Sequence, residues 1–256
     1  MGVKMINLKN QVAVVTGGSR GIGKATSLIF ALAGADIAIF YKKDRISAEK
    51  TARTIENVGR RVILLRVNVE KMSECRKAVK TVIGKFGHID ILVNNAGIWE
   101  FGKIGEIKPT QWRKTIDVNL TGTFNMCSVA VPHMKKRKYG RIINVSSTAG
   151  QRGEPFHSHY AASKGGIISF TKSIAPELIK NGIWVNCIAP GWVETEMTSG
   201  IVNNLKKRRE IEKSIPRGKI STPEEIAGPI LFLASNFANN VVGEVLNVNG
   251  GGVLCG

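Results

Sequence analysis

The chain has 256 residues, of which 43% are hydrophobic and 22% are charged, a composition typical of a soluble globular protein. No apolar run reaches the ~18 residues needed to span a bilayer, and the N-terminal residues lack the pattern of a secretion signal, so we expect a cytoplasmic protein. The cysteines show no CxxC spacing, which argues against a disulfide framework or a zinc site; they are Cys75, Cys127, Cys187 and Cys255.

The formal net charge is +18, with 37 Lys and Arg against 19 Asp and Glu. Such a charge attracts nucleotides, acidic proteins and nucleic acids, although a lysine-rich solvated surface explains it equally well. The sequence contains no helix-turn-helix, zinc-finger or aromatic-basic pattern. We therefore do not expect nucleic-acid binding.

Short runs rich in Val, Ile and Leu alternate with longer helical patterns, as expected of strands buried on both faces of a parallel sheet. The predicted strands are 12–16, 36–40, 61–67, 89–95, 140–147, 183–190 and 244–248. The predicted helices are 21–33, 45–58, 72–86, 110–137, 159–181 and 223–235. This alternation predicts one Rossmann-type domain over 1–256, an α/β doubly wound fold with about seven parallel strands and helices on both faces.

The segment 191–222 departs from this alternation. It is long, polar and basic, as in IVNNLKKRRE, and it lies between a strand end and the next helix. Ligands of doubly wound sheets bind at the carboxyl ends of the strands. We therefore expect 191–222 to form a lid over a substrate rather than a packing element.

The first strand leads into the first helix through TGGSRGIG, in which Gly17, Gly21 and Gly23 are spaced GxxxGxG. Glycine accepts positive φ and lets the backbone approach a ligand, and the free N–H groups at the helix start face a pyrophosphate. A glycine-rich loop alone is a weak signal, but this one follows a buried strand and opens a helix. The sequence therefore predicts a dinucleotide site at this turn.

The end of the second strand indicates which dinucleotide binds. Folds that bind NAD usually have a carboxylate there for the adenosine 2′-OH, whereas this strand ends in IFYKKD, with Tyr41 and Lys42 at that corner. Arg20 lies nearby in the glycine turn, and two cations without a carboxylate favour a 2′-phosphate. We expect NADP(H) rather than NAD(H), with Asp44 as the residue that would favour NAD(H).

Asparagines follow the fourth strand and interrupt a predicted helix. In NNAG, we expect Asn94 to hold neighbouring strands, while Asn95, Ala96 and Gly97 lie beside the adenine ribose. Asn119 falls inside the predicted helix 110–137, where asparagine is a poor helix former. Propensity alone indicates either a local distortion or a functional role for Asn119.

The stretch HSHYAASKGG places Tyr160 four residues before Lys164, on one face of a predicted helix. Ser146 and Ser147 end the preceding strand, at the edge where ligands bind. Tyrosine has a pKa near 10 and exchanges protons poorly at neutral pH, by roughly three units. Because a nearby ammonium stabilises the phenolate, we expect Lys164 to lower the pKa of Tyr160.

Together these motifs resemble the short-chain dehydrogenase/reductase family over nearly the whole chain. The resemblance is carried by TGGSRGIG (16–23), NNAG (94–97), Asn119 in DVNLTG, Ser147, YAASK (160–164), PGWVETEM (190–197), and PEEIAGPILFLAS with GEVLNVNGG. Among the branches the chain is most similar to 3-oxoacyl-[acyl-carrier-protein] reductases, although sugar and polyol dehydrogenases share these motifs. The resemblance implies an NADP(H)-dependent enzyme that reduces a carbonyl to a secondary alcohol.

The resemblance also implies a role for each site residue. Tyr160 is the general acid in reduction, Lys164 lowers its pKa and holds the nicotinamide ribose, and Ser147 bonds the substrate oxygen. Asn119 positions a water in a proton relay, and the loop 190–195 holds the carboxamide. The implied cofactor-binding residues are Gly17, Ser19, Arg20, Gly21, Ile22, Gly23, Tyr41, Lys42, Asn68, Val69, Asn95, Ala96, Gly97, Tyr160, Lys164, Pro190, Gly191, Val193 and Thr195.

Two positions depart from the family pattern. Asn68 stands where an aspartate commonly bonds the adenine amino group, and its amide oxygen accepts the same bond. Asn249 stands in VNGG where many relatives have VDGG, and we expect a structural consequence at a subunit contact.

Further residues near the site carry no assigned role. His157 and His159 flank Tyr160 but lie outside the family's catalytic set, and two histidines without nearby carboxylates make a poor metal site. Four aromatic residues fall on the predicted site loops, where an apolar pocket and loop packing are equally compatible; they are Trp99, Phe101, Phe156 and Trp192.

An acidic acyl carrier protein is the expected partner, because its charge complements the basic surface. MKKRKYGR (134–141) and Lys180 offer a docking patch, although solvated helix ends explain them equally well. The family also implies a homotetramer, paired through the helices 110–137 and 159–181 and the C-terminal segment. The alternatives are a sugar, polyol or other secondary-alcohol dehydrogenase and, outside enzymes, a regulator that senses NADP(H) without turnover.

Overall fold

The fold is built on one parallel β-sheet. The computed structural model describes residues 6–255. The strands are β1 (Val12–Thr16), β2 (Asp36–Tyr41), β3 (Val62–Arg66), β4 (Ile91–Asn94), β5 (Gly140–Val145), β6 (Ile183–Pro190) and β7 (Val245–Val248). They lie in the order β3-β2-β1-β4-β5-β6-β7, and every neighbouring pair is parallel. The predicted strand boundaries differ from these by two residues at most.

Helices cover both faces of the sheet. They are α1 (Gly21–Leu32), α2 (Arg45–Asn57), α3 (Met72–Phe86), α4 (Pro109–Ile116), α5 (Gly122–Arg137), α6 (Thr148–Arg152), α7 (Ser158–Leu178), α8 (Ser199–Val202), α9 (Leu205–Ser214) and α10 (Pro223–Ala234). Side chains of α3, α5 and α7 form one core against the sheet, and those of α1, α2 and α10 form the other. Because both faces are buried, the strands read as uninterrupted apolar runs. The predicted Rossmann-type α/β fold is confirmed.

The strand order reverses at β1, which is paired with β2 on one side and with β4 on the other. The connections after β1 and β4 therefore run to opposite sides and leave a crevice at the carboxyl edge of the sheet. Ligands of doubly wound sheets bind in this crevice. The glycine turn 17–23 and the NNAG segment both open into it.

The predicted helix 110–137 is not continuous. One π-helical turn, Asp117–Thr121, separates α4 from α5. Asn119 is fully buried in this turn and bonds the chain on two neighbouring segments. A π-turn of this kind marks a functional site more often than an ordinary helix does. The distortion that asparagine indicated is therefore present, and it brings the Asn119 side chain toward β4 and α7.

The segment 191–222 leaves the sheet after β6, and its two ends pair with each other. Glu194 N donates to Ser221 O (2.9 Å) and Ser221 N donates to Trp192 O (3.0 Å), so the two ends lie side by side. The interior contains α8 and α9, where the sequence pattern predicts no helix. Val202, Ile215 and Ile220 form a small core of their own under these helices.

No helix in residues 6–255 is long and apolar enough to cross a membrane. Within the same residues, no group of three or more His, Cys, Asp or Glu side chains could hold a metal ion. The cysteines in this part of the chain carry no disulfide; three are buried, and Cys255 is exposed.

Candidate active site

A cleft of about 460 Å³ lies at the carboxyl edge of the sheet. All of the predicted site residues line it except Gly23 and Asn119, which lie behind its wall. The lining also includes three acidic residues that the motifs did not indicate as site residues, Glu70, Glu100 and Glu196. A second, more open depression of about 830 Å³ lies between Ile6 and Phe237, away from these residues.

The glycine turn has the geometry that a dinucleotide requires. Gly17 and Gly21 have positive φ angles of 63° and 52°. A Cβ on Gly23 would lie 2.2 Å from Gly17 O, so only glycine lets the first turn of α1 pack onto the turn before it. This close packing leaves the helix N-terminus open toward the cleft, where its N–H groups suit a pyrophosphate. The residues present therefore fit a dinucleotide cofactor.

The two asparagines after β4 hold the cleft together. Asn94 Nδ2 donates to Asn144 Oδ1 across the β4–β5 pair at 2.9 Å, which confirms the predicted strand clamp. Asn95 Nδ2 donates to Thr16 O (2.9 Å) and Gly17 O (3.2 Å), and so it fixes the glycine turn. Asn95 therefore has a structural task in addition to lining the cleft beside Ala96.

The adenosine end of the cleft differs from expectation in one respect. Arg20, Tyr41 and Lys42 all line it, but a carboxylate also lies there, because Glu70 pairs with Lys42. The expectation of two cations without a carboxylate is therefore wrong. Asp44, the residue expected to favour NAD(H), is the N-cap of α2, and its side chain accepts from Ser47 N at 2.9 Å. This carboxylate is therefore already engaged in capping the helix.

The residues that depart from the family pattern hold local structure. Asn68 lines the cleft, and its Oδ1 accepts a long bond of 3.4 Å from Glu70 N, which leaves a lone pair for an adenine amino group. Asn249 is 7% exposed within a single chain. Its Nδ2 donates to Val253 O at 2.9 Å, and a Cβ on Gly191 would lie 3.0 Å from its Cβ. Asn249 therefore acts inside the chain, by shaping the turn against which Gly191 packs.

Ser147, Tyr160 and Lys164 meet at the end of β5. Ser147 follows this strand and caps α6 by accepting from Ala149 N at 3.1 Å. Tyr160 and Lys164 lie one turn apart near the start of α7, and Lys164 Nζ is 5.6 Å from the centre of the Tyr160 ring. The Lys164 side chain is buried, and its Nζ donates to Val145 O at 2.7 Å.

The pKa values of Tyr160 and Lys164 show what burial does to this pair. Burial raises the pKa of Tyr160 to about 12, a hydrogen bond with Ser147 offsets part of the rise, and the Glu154 carboxylate adds to it. Burial lowers the pKa of Lys164 to about 8. The net pKa of Tyr160 is therefore raised rather than lowered in the polypeptide by itself, because desolvation by burial is the largest influence on it.

Asn119 ties the π-turn to both sides of the cleft. Its Nδ2 donates to Ile98 O and to Ser163 Oγ, both at 3.0 Å, and its Oδ1 accepts from Ile98 N at 2.8 Å. A Cβ on Gly97 would lie 3.3 Å from Asn119 Oδ1 and 3.6 Å from Lys164 Nζ. The Asn119 amide therefore acts on the protein itself, by positioning the segment after β4 and the residue before Lys164.

The aromatic residues and His157 form a cluster beside the cleft. The His157 ring stacks on Trp99, with centroids 4.5 Å apart, and Trp192 contacts Trp99 edge-on at 5.9 Å. Glu154 was not selected from the sequence; its Oε1 accepts from Trp99 Nε1 at 3.1 Å and lies 3.5 Å from His157 Nδ1. Phe101 and Phe156 stack at 5.7 Å on the outer side and are both exposed. His159 is fully buried on α7, outside the cleft.

Comparison with known proteins assigns the chain to a family. A family model described as enoyl-(acyl carrier protein) reductase matches residues 17–252. The 3-oxoacyl-[acyl-carrier-protein] reductase of Synechocystis is 41% identical over 252 residues, which cover 98% of this chain and 100% of the relative. The protein of the same name from Chlamydia muridarum is 40% identical over 244 residues, 95% of this chain and 98% of the relative. The chain belongs to the short-chain dehydrogenase/reductase family.

Solved structures place this short-chain dehydrogenase/reductase in the same family. A candidate gluconate dehydrogenase of Agrobacterium tumefaciens superposes with a TM-score of 0.93 at 32% identity, covering 98% of this chain and all of that one (100%). The short-chain dehydrogenase/reductase is therefore an oxidoreductase that uses a nicotinamide cofactor. Its relatives include reductases of carrier-bound substrates and a candidate sugar-acid dehydrogenase, so membership alone leaves the substrate open.

Proposed function

We propose that this short-chain dehydrogenase/reductase is a 3-oxoacyl-[acyl-carrier-protein] reductase that uses NADPH to reduce the 3-oxo group to a secondary alcohol. The arrangement of Ser147, Tyr160 and Lys164 at the end of β5 carries the proposal, because it offers two hydroxyls to one carbonyl oxygen beside a buried ammonium. The names of the relatives support the substrate class.

The mechanism assigns one task to each of the three side chains. When bound, the reduced nicotinamide supplies a hydride to the carbonyl carbon. Tyr160 gives its phenolic proton to the carbonyl oxygen as the carbon–oxygen double bond becomes single, and Ser147 holds that oxygen by a second hydrogen bond. Because the pKa of Tyr160 is about 12, the phenol carries its proton at neutral pH, as reduction requires.

Lys164 is proposed to bind the nicotinamide ribose and to stabilise the charge that forms on Tyr160. Its Nζ is fixed by Val145 O and lies near Gly97, where the nicotinamide ribose hydroxyls would reach it. The ammonium stabilises the phenolate that remains after Tyr160 has given up its proton. Asn119, through Ser163 and Ile98, holds the two segments that flank Lys164, and we retain the predicted water relay as part of the proposal.

The preference for NADP(H) rests on the cations at the adenosine end. Arg20 is exposed in the glycine turn, and Lys42 follows β2 at the same corner. Both can reach a 2′-phosphate by charge-assisted hydrogen bonds, and Tyr41 lines the same cleft. The remaining proposed cofactor contacts, from Asn68 to Thr195, line the same cleft.

The reacting group is a carbonyl rather than a double bond, although the matching family model is described as an enoyl reductase. A ketone oxygen accepts hydrogen bonds from both Ser147 and Tyr160 at the reacting centre. An enoyl thioester offers only its thioester oxygen to these hydroxyls, and that oxygen is not on the carbon that receives the hydride. The hydroxyl pair therefore favours the 3-oxo substrate.

The segment 191–222 is proposed to be the lid. Thr195 and Glu196 line the cleft opposite the glycine turn, and a Cβ on Gly21 would lie 3.1 Å from Thr195 Cγ2. The joined ends at Val193 and Ser221 allow the interior, with α8 and α9, to move as one flap. Trp192 packs on the lid core and also contacts Trp99, which connects the lid to the substrate end of the site.

A carrier-docking patch on 134–141 requires a second copy of the chain. These residues end α5 at the amino edge of the sheet, opposite Ser147, and Lys180 lies at the same edge after α7. Arg141 is 1% exposed and stacks on Trp184, so the expectation that it belongs to the surface patch is wrong. In the proposed homotetramer, pairing through α5 and α7 would place Lys135 and its neighbours at the contact with another copy of the chain.

The apolar surface of α5 and of the adjoining α4 supports the pairing. Phe124 on α5 is 48% exposed and Trp112 on α4 is 42% exposed, on a face where monomers usually carry polar side chains.

The cytoplasmic location stays a prediction.

A kinetic comparison tests the proposed function. We expect an acetoacetyl thioester to be reduced with NADPH far faster than sugars, polyols or sugar acids are oxidised with either cofactor. Turnover of gluconate or a polyol alone would favour the second candidate, a secondary-alcohol dehydrogenase, which the Agrobacterium neighbour suggests. Tight NADPH binding without turnover of any carbonyl would contradict the enzymatic role.

The variant Tyr160→Phe tests the proton donor. It removes one oxygen from a half-buried side chain, and we expect turnover to fall by at least about 10²-fold while NADPH binding changes little. NADPH binding is followed by fluorescence and turnover by absorbance. A variant that keeps wild-type turnover would overturn the assignment of Tyr160.

A further inference from the structure

An ion cluster occupies the adenosine end of the cleft. Glu70 follows β3, and its side chain is 17% exposed. It forms an ion pair with Lys42, which follows β2, and both of its oxygens lie 2.7 Å from Lys114 Nζ on α4. We call Lys42, Glu70 and Lys114 the Glu70 cluster; all three line the cleft.

The Glu70 carboxylate is ionised at neutral pH. Its burial raises the pKa, but the hydrogen bonds from Lys114 and Lys42 outweigh that effect and hold the pKa of Glu70 below its ordinary value of 4.5. The cluster therefore contains two positive charges and one negative charge. Glu70 places its negative charge directly on Lys42, which is the cation proposed to bind the 2′-phosphate.

A 2′-phosphate and Glu70 cannot both make full use of Lys42. The Lys42 ammonium has three hydrogen-bond donors and could contact both groups. The Glu70 carboxylate, however, repels a dianionic phosphate placed beside it. Binding of NADP(H) therefore requires Lys42 to turn from Glu70 or to share its charge with it. Binding of NAD(H), which has a neutral 2′-hydroxyl at this position, carries no such repulsion.

We propose that Glu70 is a selectivity residue that competes with the 2′-phosphate for Lys42 and so narrows the preference for NADP(H) over NAD(H). The inference rests on the proposed use of NADP(H). Lys114 holds the other side of Glu70 and moderates the competition, because it shares the carboxylate with Lys42.

The position of Lys114 gives the proposal a second, opposite consequence. With Lys114 removed, Glu70 has only Lys42 as a partner and pairs with it more strongly. Removal of Glu70 releases Lys42 from its ion pair, whereas removal of Lys114 strengthens the ion pair between Lys42 and Glu70. The two substitutions should therefore change the affinity for a 2′-phosphate in opposite directions.

The experiment measures binding without turnover. Adenosine 2′,5′-bisphosphate and 5′-AMP serve as probes that differ only in the 2′-phosphate, and their dissociation constants are measured by calorimetry at low salt. The variants are Glu70→Gln, Lys114→Met, Lys42→Met and the double variant with Glu70→Gln and Lys42→Met. Glu56→Gln is the control, because it removes an equal charge from an exposed position at the far end of α2. Circular dichroism confirms that each variant is folded.

We expect Glu70→Gln to tighten binding of the bisphosphate by about tenfold and to leave 5′-AMP within about twofold. Lys114→Met should weaken the bisphosphate, and Glu56→Gln should change neither probe. In the Lys42→Met background, Glu70→Gln should tighten the bisphosphate clearly less than in wild type, because only the direct repulsion between the carboxylate and the phosphate is then removed. An unchanged or weaker bisphosphate affinity in Glu70→Gln overturns the proposal, as does equal tightening with and without Lys42.

The proposed cofactor preference can fail separately. If the wild-type chain binds both probes equally, the preference for NADP(H) is wrong. The Glu70 proposal is then upheld where Glu70→Gln creates a preference for the bisphosphate, and overturned where it does not. Titration with NADPH and NADH, followed by fluorescence, should give the same order of variants.

Discussion

Replacement of Lys164 by methionine should make the protein more stable and inactive. Lys164 is 4% exposed, and burial lowers its pKa from 10.5 to about 8. A shift of this size means that the charged form costs about 3 kcal/mol at pH 7 relative to the unfolded chain. Methionine has similar length and no charge, but it leaves Val145 O without the 2.7 Å bond from Nζ, a loss of about 1 kcal/mol.

The net expectation for Lys164→Met is a gain of about 2 kcal/mol in the free energy of unfolding at pH 7, or about 4–8 °C in Tm for a chain of this size. The gain should depend on pH in a defined way. The folded pKa lies below the unfolded value, so the unfolded wild-type chain binds more protons between pH 8 and 10.5. Wild-type stability therefore rises with pH across this window, and the advantage of the variant disappears by about pH 10.5.

Urea unfolding of the cofactor-free proteins, at one protein concentration and at several pH values from 7 to 10, measures both effects. Lys172→Met is the matched control, because Lys172 is exposed on the same helix, and its effect should stay within about 0.5 kcal/mol. A Lys164→Met protein that is less stable than wild type at pH 7, or whose advantage is independent of pH, would refute the reasoning from burial.

Two further predictions concern the glycine turn and the buried histidine. Gly23→Ala puts a methyl group 2.2 Å from Gly17 O, so NADPH titration by fluorescence should show affinity lost by at least about 100-fold, and near-normal affinity would contradict the assigned role of the turn. Burial lowers the pKa of His159 below 6.5, so the unfolded chain binds more protons as the pH falls through this value, and wild-type stability drops. Urea unfolding should therefore show that His159→Leu gains stability relative to wild type between pH 7 and 5, and a difference that is independent of pH would count against the prediction.

The strands and most helices could be predicted from the sequence because both faces of the sheet are buried. The run VAVVT, for example, is fully buried as β1, and its pattern leaves little choice of element or boundary. The helix 110–137 was wrongly predicted as continuous because its interruption depends on distant partners. Asn119 bonds Ile98 and Ser163, residues that lie outside the helix and are known as neighbours only once the chain is folded.

The sequence predicted which residues line the site better than it predicted how the charges there pair. Motif spacing placed Gly17, Ser147 and Tyr160 on one edge of the sheet, because the carboxyl ends of parallel strands meet there. Glu70 was missed although it follows β3 at that edge, because its importance comes from Lys42 and Lys114 on other elements. The end of each strand is thus the place where a charged residue should be considered together with those after neighbouring strands.

The perturbed pKa values connect stability and chemistry in this site. The buried ammonium of Lys164 destabilises the cofactor-free protein at neutral pH, because burial lowers its pKa to about 8 while the unfolded chain keeps it fully charged. The same loss of water raises the pKa of Tyr160, which stays neutral at this pH. The phenolate that remains after proton donation is the species that this ammonium stabilises, so the interaction is stronger in the reaction than in the resting site. Packing and hydrogen bonds around β5 and α7 offset the free energy lost by burying this ammonium. One of these bonds joins Ser146 Oγ, the donor, to Lys164 O at 2.8 Å and fixes the helix to the strand end. The buried position of Lys164 therefore lowers the stability of the fold but serves the proposed proton transfer. For this reason a substitution that stabilises the protein at this position should also inactivate it.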